Sequence, residues 1–478
     1  MKEVPSIYWF RSDLRLTDLP GLSAASAAGP VLACYVFDEL SDDAWTPGSA
    51  SRWWLHRSLS ALGSELQKKG ANLVLAQGRP EVVLTQLASE IGADTVFCSR
   101  EYEPCSDATE RRVAESLAEN GSRLKRYGGT LLWEPEQVRT RSDTPFKVFT
   151  PFWKCCLALP EPNLPAGGAL RFWQGKSASG VSLQNLGLDC TSEESARWAE
   201  YWSPGEIGAK ESLRVFEESA LDGYNEGRDF PERAATSLLS PHLRFGEISP
   251  HRVFHFIREA ARRRPGLQSE ADNYLRELGW REFSRHLLYH YPSLPEQPFR
   301  SEFARFPWCG VKESLVAWQE GKTGYPIVDA GMRELRQTGY MHNRVRMITA
   351  SFLCKHLLID WRAGQRWFWN YLMDADLAAN AFNWQWVAGS GTDASPYFRI
   401  FSPMAQGVKF DKAGGYVKEW VPELSALPPR YVHSPWEAPA SVLDDAGICL
   451  GDNYPFPLVD HVTARKTALA AYAEVRAA

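Results

Sequence analysis

With 478 residues, 44% of them hydrophobic and 23% charged, the chain has an ordinary globular composition and is long enough for two or three domains. A net charge of −5 excludes a protein that coats nucleic acid over its whole surface, yet leaves room for one local basic face. No apolar run reaches membrane-spanning length, since even 348–358 contains Lys355 and His356, and the opening Met1-Lys2-Glu3-Val4-Pro5 lacks signal-peptide architecture, so a cytoplasmic protein without membrane contact is expected. The nine cysteines are scattered, with Cys155 and Cys156 adjacent and no CxxC pair, which indicates neither a zinc knuckle nor a disulfide framework.

Short apolar or β-branched runs fall at Ile7–Phe10, Val31–Phe37, Asn72–Ala76, Thr95–Cys98 and Arg123–Tyr127. Segments of helical composition near 50–69, 80–91 and 106–119 separate most of them, an alternation that predicts βαβ units and a doubly wound parallel sheet. No P-loop or glycine-rich fingerprint follows any of these strands. From about 130 to 205 the chain is rich in Pro, Gly and Ser without sustained periodicity and reads as an extended connector. Beyond 206 helical patterns dominate, ending in a helix over Val462–Ala478. The expected organisation is an α/β domain over 1–130, a connector over 131–205 and a large all-α domain over 206–478.

Four stretches of the second half carry chemistry. Thr236-Ser237-Leu238-Leu239-Ser240-Pro241 places a Ser-Pro pair where a helix N-cap and first turn would begin, with hydroxyls and free amides suited to an anion. Taken alone, the hexapeptide is better explained as a plain cap. In the helix expected over Ala271–His290, Glu277, Trp280, Arg281 and Ser284 share one face, and an indole on a polar face is unusual unless something stacks on it. Gly339 opens a helical run through Leu358 whose stripe is Met341, Val345, Ile348 and Phe352, with Asn343, Arg346, Met347 and Ala350 on another face. The densest stretch is 374–386, Asp-Ala-Asp-Leu-Ala-Ala-Asn-Ala-Phe-Asn-Trp-Gln-Trp, which offers acids, amides and indoles to a polar heterocycle. It is no calcium loop, because Ala379 and Gln385 stand where the glycine and the bidentate glutamate belong, and no metal is expected. The GxGxxA match at 389–394 is discarded, since no buried strand precedes it and Pro396 interrupts a following helix.

The runs Trp9-Phe10-Arg11-Ser12-Asp13-Leu14-Arg15, Trp-Gln-Glu-Gly-Lys-Thr-Gly-Tyr-Pro-Ile-Val-Asp-Ala (318–330), Met-His-Asn-Arg-Val-Arg-Met (341–347), Asp-Ala-Asp-Leu-Ala-Ala-Asn (374–380) and Pro-Tyr-Phe-Arg-Ile-Phe (396–401) resemble the photolyase/cryptochrome family over nearly the whole chain. The resemblance implies a bent FAD in the helical domain, active as FADH⁻, that repairs cyclobutane pyrimidine dimers in DNA under blue light. It places the flavin pyrophosphate at Thr236, Ser237, Leu238, Leu239 and Ser240, with Tyr224 upstream. Arg346 and Asp374 match an ion pair over the isoalloxazine, Asp376 its ring edge or ribityl side, and Asn380 its N5; the asparagine suits a repair enzyme, photoreceptor members commonly having Asp or Cys there.

By the same resemblance Glu277 hydrogen-bonds a flipped dimer, Trp280 stacks on it, Trp386 and Met347 surround it, and Asn343 lies against both lesion and flavin. Arg228, Arg281, Arg344, Arg399, Gln406 and Lys409 match the DNA-binding face, and Trp384, Trp361 and Trp308 an electron chain from flavin to surface. A signalling cryptochrome is the main alternative, and a (6-4) photolyase a weaker one because Met347 stands where that subgroup relies on a His. The usual folate contacts are replaced by Cys105, Ser106 and Glu296, so methenyltetrahydrofolate held differently is expected as antenna in preference to a deazaflavin. A monomer in the bacterial cytoplasm is expected.

Overall fold

Five short strands pair into one sheet in the computed structural model, which describes residues 3–38, 45–165, 167–175, 180–188, 193–393 and 398–477. The strands are β1 (Ser6–Phe10), β2 (Val31–Phe37), β3 (Leu73–Gln77), β4 (Thr95–Ser99) and β5 (Arg123–Tyr127), all parallel in the order β3-β2-β1-β4-β5. Each expected strand is present to within a residue at either end. Helices α1 (Pro20–Ala28), α2 (Ser49–Lys68), α3 (Pro80–Ile91) and α4 (Pro104–Glu119) cross between the strands, and three of them begin with proline at the first turn, where its missing N–H costs nothing. Ile7, Trp9, Leu32, Cys34, Val96 and Cys98 form the centre of the sheet core together with Leu84, Val113 and Leu117 from α3 and α4. The edge strand β5, Arg-Leu-Lys-Arg-Tyr, keeps its charges toward solvent, which discourages pairing with another chain.

The connector contains a helix the sequence reading missed. Helix α5 (Phe149–Ala158) buries Phe149, Phe152 and Cys156, an apolar stripe at helical spacing hidden among prolines and too short to register as sustained periodicity. The hexapeptide at 236 leads into α6 (Ser240–Arg244), but Ser240 is its first residue rather than a cap: Leu239 holds the cap position and no side chain caps the helix. Helix α7 (Gln268–His290) belongs to the same compact unit as the α/β elements.

Compactness divides the described chain into two units along lines other than 130 and 205: residues 1–195, 202–222 and 237–292 form one, and 196–201, 223–236 and 293–478 the other. The second unit is helical, with α8 (Pro326–Thr338), α9 (Asn343–Ser351), α10 (Trp361–Tyr371), α11 (Leu377–Ala388), α12 (Pro403–Phe410) and α13 (His461–Ala477). Helix α9 continues into a π-helical turn over Phe352–His356, a distortion frequent at functional sites. Gly364 on α10 permits close contact with α11, for a Cβ there would stand 2.1 Å from Trp384. Residues 394–397, which end the discarded glycine-rich match and begin the Pro-Tyr-Phe-Arg-Ile-Phe run, lie outside the described residues.

Candidate functional site

The acid-amide stretch of 374–386 spans the start and body of α11. Asp376 is its N-cap, with Oδ1 accepting from the Ala379 amide at 2.8 Å, so one carboxylate oxygen serves the helix as well as any ligand. Asp374, two residues earlier, takes a two-pronged ion pair from Arg346 on α9, at 3.0 Å (Nη1 to Oδ1) and 2.9 Å (Nη2 to Oδ2). The third donor of the guanidinium, Nε, goes to the Met341 carbonyl at 2.6 Å, and the Tyr340 ring lies 5.2 Å away. Burial would lower the pKa of Arg346, but Asp374 outweighs it and leaves the guanidinium more firmly charged than usual. Asn380 is buried and donates from Nδ2 to the Gln365 backbone carbonyl at 3.0 Å, which orients its amide.

Gln365 itself escaped the sequence reading. Its side chain is fully buried on α10, and neither end of its amide has a partner in the protein. A buried amide without partners costs about 1–3 kcal/mol, so this one, beside Asn380, marks a place built for something polar that is not protein. Glu334 is a second neighbour that the sequence did not single out. It accepts from Tyr416 and from the His342 amide, and burial pushes its carboxyl up to about 7. His342 in turn caps α9, its Nδ1 accepting from the Arg344 amide.

The expected cations of this unit are unequally placed. Arg344 is paired with Asp229 at 2.7 Å and lies 4.4 Å from the centre of Phe410, whose ring also carries Lys409 at 4.9 Å, so these two cations share one anchor. Arg228 sits over Tyr224, itself buried, at 5.3 Å. Arg399 is exposed beside Phe401, and the buried ammonium of Lys355 on the π-helical turn donates to its carbonyl at 2.9 Å. Asn343 is exposed; Met347, Gln406 and Trp386 are half-buried. Thr236 hydrogen-bonds Tyr340.

In the other unit, Leu238 has a left-handed backbone at φ 51°, a strained state for a leucine, and its side chain is exposed. Ser237 Oγ accepts from Tyr274 at 2.9 Å, which leaves its own proton available for an acceptor such as phosphate. Leu239 is buried and Ser240 exposed. On α7, Glu277 and Trp280 are half-buried, and Phe149 lies flat against the Trp280 indole, 3.6 Å between centroids at 11°. Arg281 turns inward, donating to Glu282 at 2.8 Å and to the Thr130 carbonyl at 3.0 Å, while Ser284 is buried, so the polar face expected on this helix is narrower than its spacing suggested.

Trp384 and Trp361 are buried and Trp308 half-buried. The rings against Trp384 are Phe368, edge-on at 5.0 Å, and Trp318 at 6.3 Å; Trp361 carries Arg362 at 4.6 Å, and Trp308 packs on Phe306 at 4.3 Å. At the switch point of the sheet, between β1 and β4, Arg11 binds Glu110 at 2.6 Å and Glu101 at 3.4 Å. Ser106 hydrogen-bonds Glu101 rather than facing outward, and the Glu296 carbonyl accepts from Arg362.

Two family models match this sequence, the DNA photolyase model over residues 6–168 and the FAD binding domain of DNA photolyase over 274–474. A deoxyribodipyrimidine photo-lyase of Agrobacterium fabrum is 48% identical over 100% of the chain and 99% of that protein. Cryptochrome-1 of Arabidopsis thaliana is 38% identical over 95% of the chain and 68% of that protein. The crystal structure of a bacterial class III photolyase from Agrobacterium tumefaciens superposes with a TM-score of 0.95 at 47% identity, covering 100% of this chain and 99% of that one.

Proposed function

This chain belongs to the photolyase/cryptochrome family, and we propose on that premise that it is a deoxyribodipyrimidine photo-lyase, a carbon-carbon lyase that repairs cyclobutane pyrimidine dimers in DNA with FAD. The observation that carries this reading is the full-length 48% identity to a photo-lyase of that name, against 38% to a cryptochrome that extends well beyond the match. The residues present fit FAD. The unpartnered amide of Gln365, next to the oriented Asn380, calls for a polar heterocycle, and the same compact unit holds the Arg346–Asp374 pair as a source of fixed charge. FAD bound there in its reduced form would supply light-driven one-electron chemistry for opening the cyclobutane ring.

The protein's own part is binding, orientation and exclusion of water. Thr236, Ser237, Leu238, Leu239 and Ser240 would hold the pyrophosphate through hydroxyls and backbone amides, with Tyr224 alongside. Arg346, Asp374, Asp376 and Asn380 would fix the isoalloxazine, Asn380 donating where a carboxylate would oppose an anionic ring. On α7, Glu277 would hydrogen-bond the flipped dimer and Trp280 would stack on it; Trp386, Met347 and Asn343 of the helical unit are proposed as further lesion contacts, Asn343 against the flavin as well. Arg228, Arg344, Arg399, Gln406 and Lys409 would hold the phosphates, with Arg281 in a lesser part because its guanidinium is engaged internally. Trp384, Trp361 and Trp308 would pass electrons to a photoexcited oxidised flavin.

The functional division proposed is an α/β domain over 1–130, a connector over 131–205 and a helical domain over 206–478. A methenyltetrahydrofolate antenna in the first of these, action as a monomer and a cytoplasmic location complete the proposal; among the described residues no helix is long and apolar enough to cross a membrane. The test is direct. Purified protein with reductant and blue light should restore dimer-containing oligonucleotides and leave (6-4) products untouched, and the spectrum of the released chromophores should contain FAD and a pterin. Absence of dimer repair by fully reduced protein would favour the cryptochrome reading instead.

A further inference from the structure

Lys355 is a buried cation that neither the flavin nor the lesion assignment uses. It stands on the π-helical turn after α9, 2% exposed, and among the described residues no carboxylate pairs with it. Burial pushes its ammonium down to about 7, as expected of a cation held without counter-charge. Such a placement is costly unless its donors find acceptors. Nζ donates to the Arg399 carbonyl at 2.9 Å and sits 3.8 Å from the centre of the Phe398 ring, so both contacts fall on one short segment, 398–401. One turn earlier, Ser351 Oγ accepts from the Phe401 amide at 3.4 Å, and the two side chains together hold a carbonyl and an amide of that segment. Residues 398–401 are neither helix nor strand, so their course depends on such outside contacts. Their side chains alternate. Phe398 is buried flat against Tyr472, 4.5 Å between centroids at 7°, and Ile400 packs on the same cluster with Phe303 and Phe306. Arg399, between them, is exposed, with its guanidinium 5.2 Å from the Phe401 ring and no carboxylate paired to it among the described residues.

We infer that Lys355 is a positioning residue for DNA binding: its buried ammonium fixes the backbone of 398–401, so that the Arg399 guanidinium is carried outward in a set place to meet a backbone phosphate. This rests on the proposed role of Arg399 as a phosphate anchor. A segment that is already held loses less freedom when its side chain grips a phosphate, which favours binding. Lys355 is too deeply buried to meet DNA itself, and its effect must therefore pass through the segment it holds. That effect belongs to phosphate contact, which carries no preference for damage. A purely architectural lysine beneath Phe398 would differ in one respect: its loss would matter equally whether or not Arg399 is present.

The experiment measures binding of duplexes with and without a single cyclobutane dimer across a salt series, together with repair quantum yield at saturating dimer. It uses wild type, Lys355→Met, Arg399→Ala and the double variant, each checked for bound FAD. Methionine is close to lysine in length and volume and removes only the ammonium. Lys355→Met should weaken both DNAs by about three- to tenfold, the worth of one hydrogen bond. It should also flatten the salt dependence in the direction of Arg399→Ala, while the preference for damage and the quantum yield stay as in wild type. In the Arg399→Ala background the same substitution should cost nothing further. Lys355→Gln, made in both backgrounds, carries the test if Lys355→Met fails to fold. A loss that repeats in full in the Arg399→Ala background would overturn the inference, as would a fall in quantum yield with affinity intact. Wild-type binding by Arg399→Ala would remove the phosphate role of Arg399 and the inference with it. Weakened binding by Arg399→Ala beside wild-type binding by Lys355→Met would remove the inference alone.

Discussion

Replacing Asp374 by asparagine tests the centre of the flavin assignment, because it removes one charge while keeping the shape of the side chain. In the protein the pair is two-pronged, at 3.0 and 2.9 Å, with the Asp374 side chain 6% and the Arg346 side chain 23% exposed. Loss of one partner from a fully buried pair costs about 3–5 kcal/mol, mostly through the charge left behind. Arg346 keeps its bond to the Met341 carbonyl and some contact with water, so about 2–3 kcal/mol is expected here. The assay is denaturant unfolding followed by release of flavin fluorescence, for Asp374→Asn, Arg346→Met and the double variant. The singles should each destabilise strongly, and the double should lose clearly less than their sum, by about 2 kcal/mol of coupling. Strict additivity would show that the two side chains do not act as a pair and would remove the electrostatic argument for the cofactor site.

Four further outcomes are expected. Glu277→Gln should hold FAD and DNA but repair with a lower quantum yield, through loss of a charge-assisted bond worth about 1.5–3 kcal/mol; an unchanged yield at saturating dimer removes Glu277 from the mechanism. Trp384→Phe should fold, bind FAD and repair dimers after chemical reduction, while losing photoreduction of the oxidised flavin; photoreduction at the wild-type rate would reassign the electron donor, with Trp318 the adjoining indole. Arg399→Ala should weaken damaged and undamaged DNA alike, and more than Arg344→Ala, whose charge Asp229 already balances; the reverse order of salt sensitivity would contradict this. Burial raises the folded-state pKa of Glu334 to about 7, above an unfolded value of about 4.3, so folding takes up a proton between these pH values. Its stabilising contribution is complete below the lower value and is lost as pH rises through the upper one, by at most about 4 kcal/mol. Urea midpoints of Glu334→Gln should fall less steeply over that window, and an identical slope would mean that Glu334 does not titrate there.

Much of the architecture was legible from the sequence because it rests on local rules. The five strands announced themselves as β-branched runs alternating with helical segments, and Val31–Phe37 and Arg123–Tyr127 end at the residues read from composition. Helix α5 was lost in its proline-rich setting although Phe149, Phe152 and Cys156 carry the helical spacing. The Ser-Pro signal located α6 but misplaced its cap by one residue, since neither side-chain cap nor hydroxyl decides that boundary. The chemistry was less accessible. Composition and periodicity marked 374–386 and the face of α7 as unusual, and only the resemblance turned them into flavin and lesion contacts.

What the tertiary structure alone decided are the pairings between residues distant along the chain. Arg346 and Asp374 are 28 positions apart, and no spacing rule joins them in two parallel hydrogen bonds. The same holds for Phe149 against Trp280, for Tyr274 on the Ser237 hydroxyl, and for Arg281 turned toward the Thr130 carbonyl instead of solvent. Gln365 reads in sequence as an ordinary polar residue of an amphipathic helix, and its meaning lies in being buried with an amide left unsatisfied. Helix and strand periods are written by neighbours within a few residues, so the sequence determined the elements and their order. The direction in which a functional side chain points, and what holds it there, depends on surfaces brought together only when those elements pack.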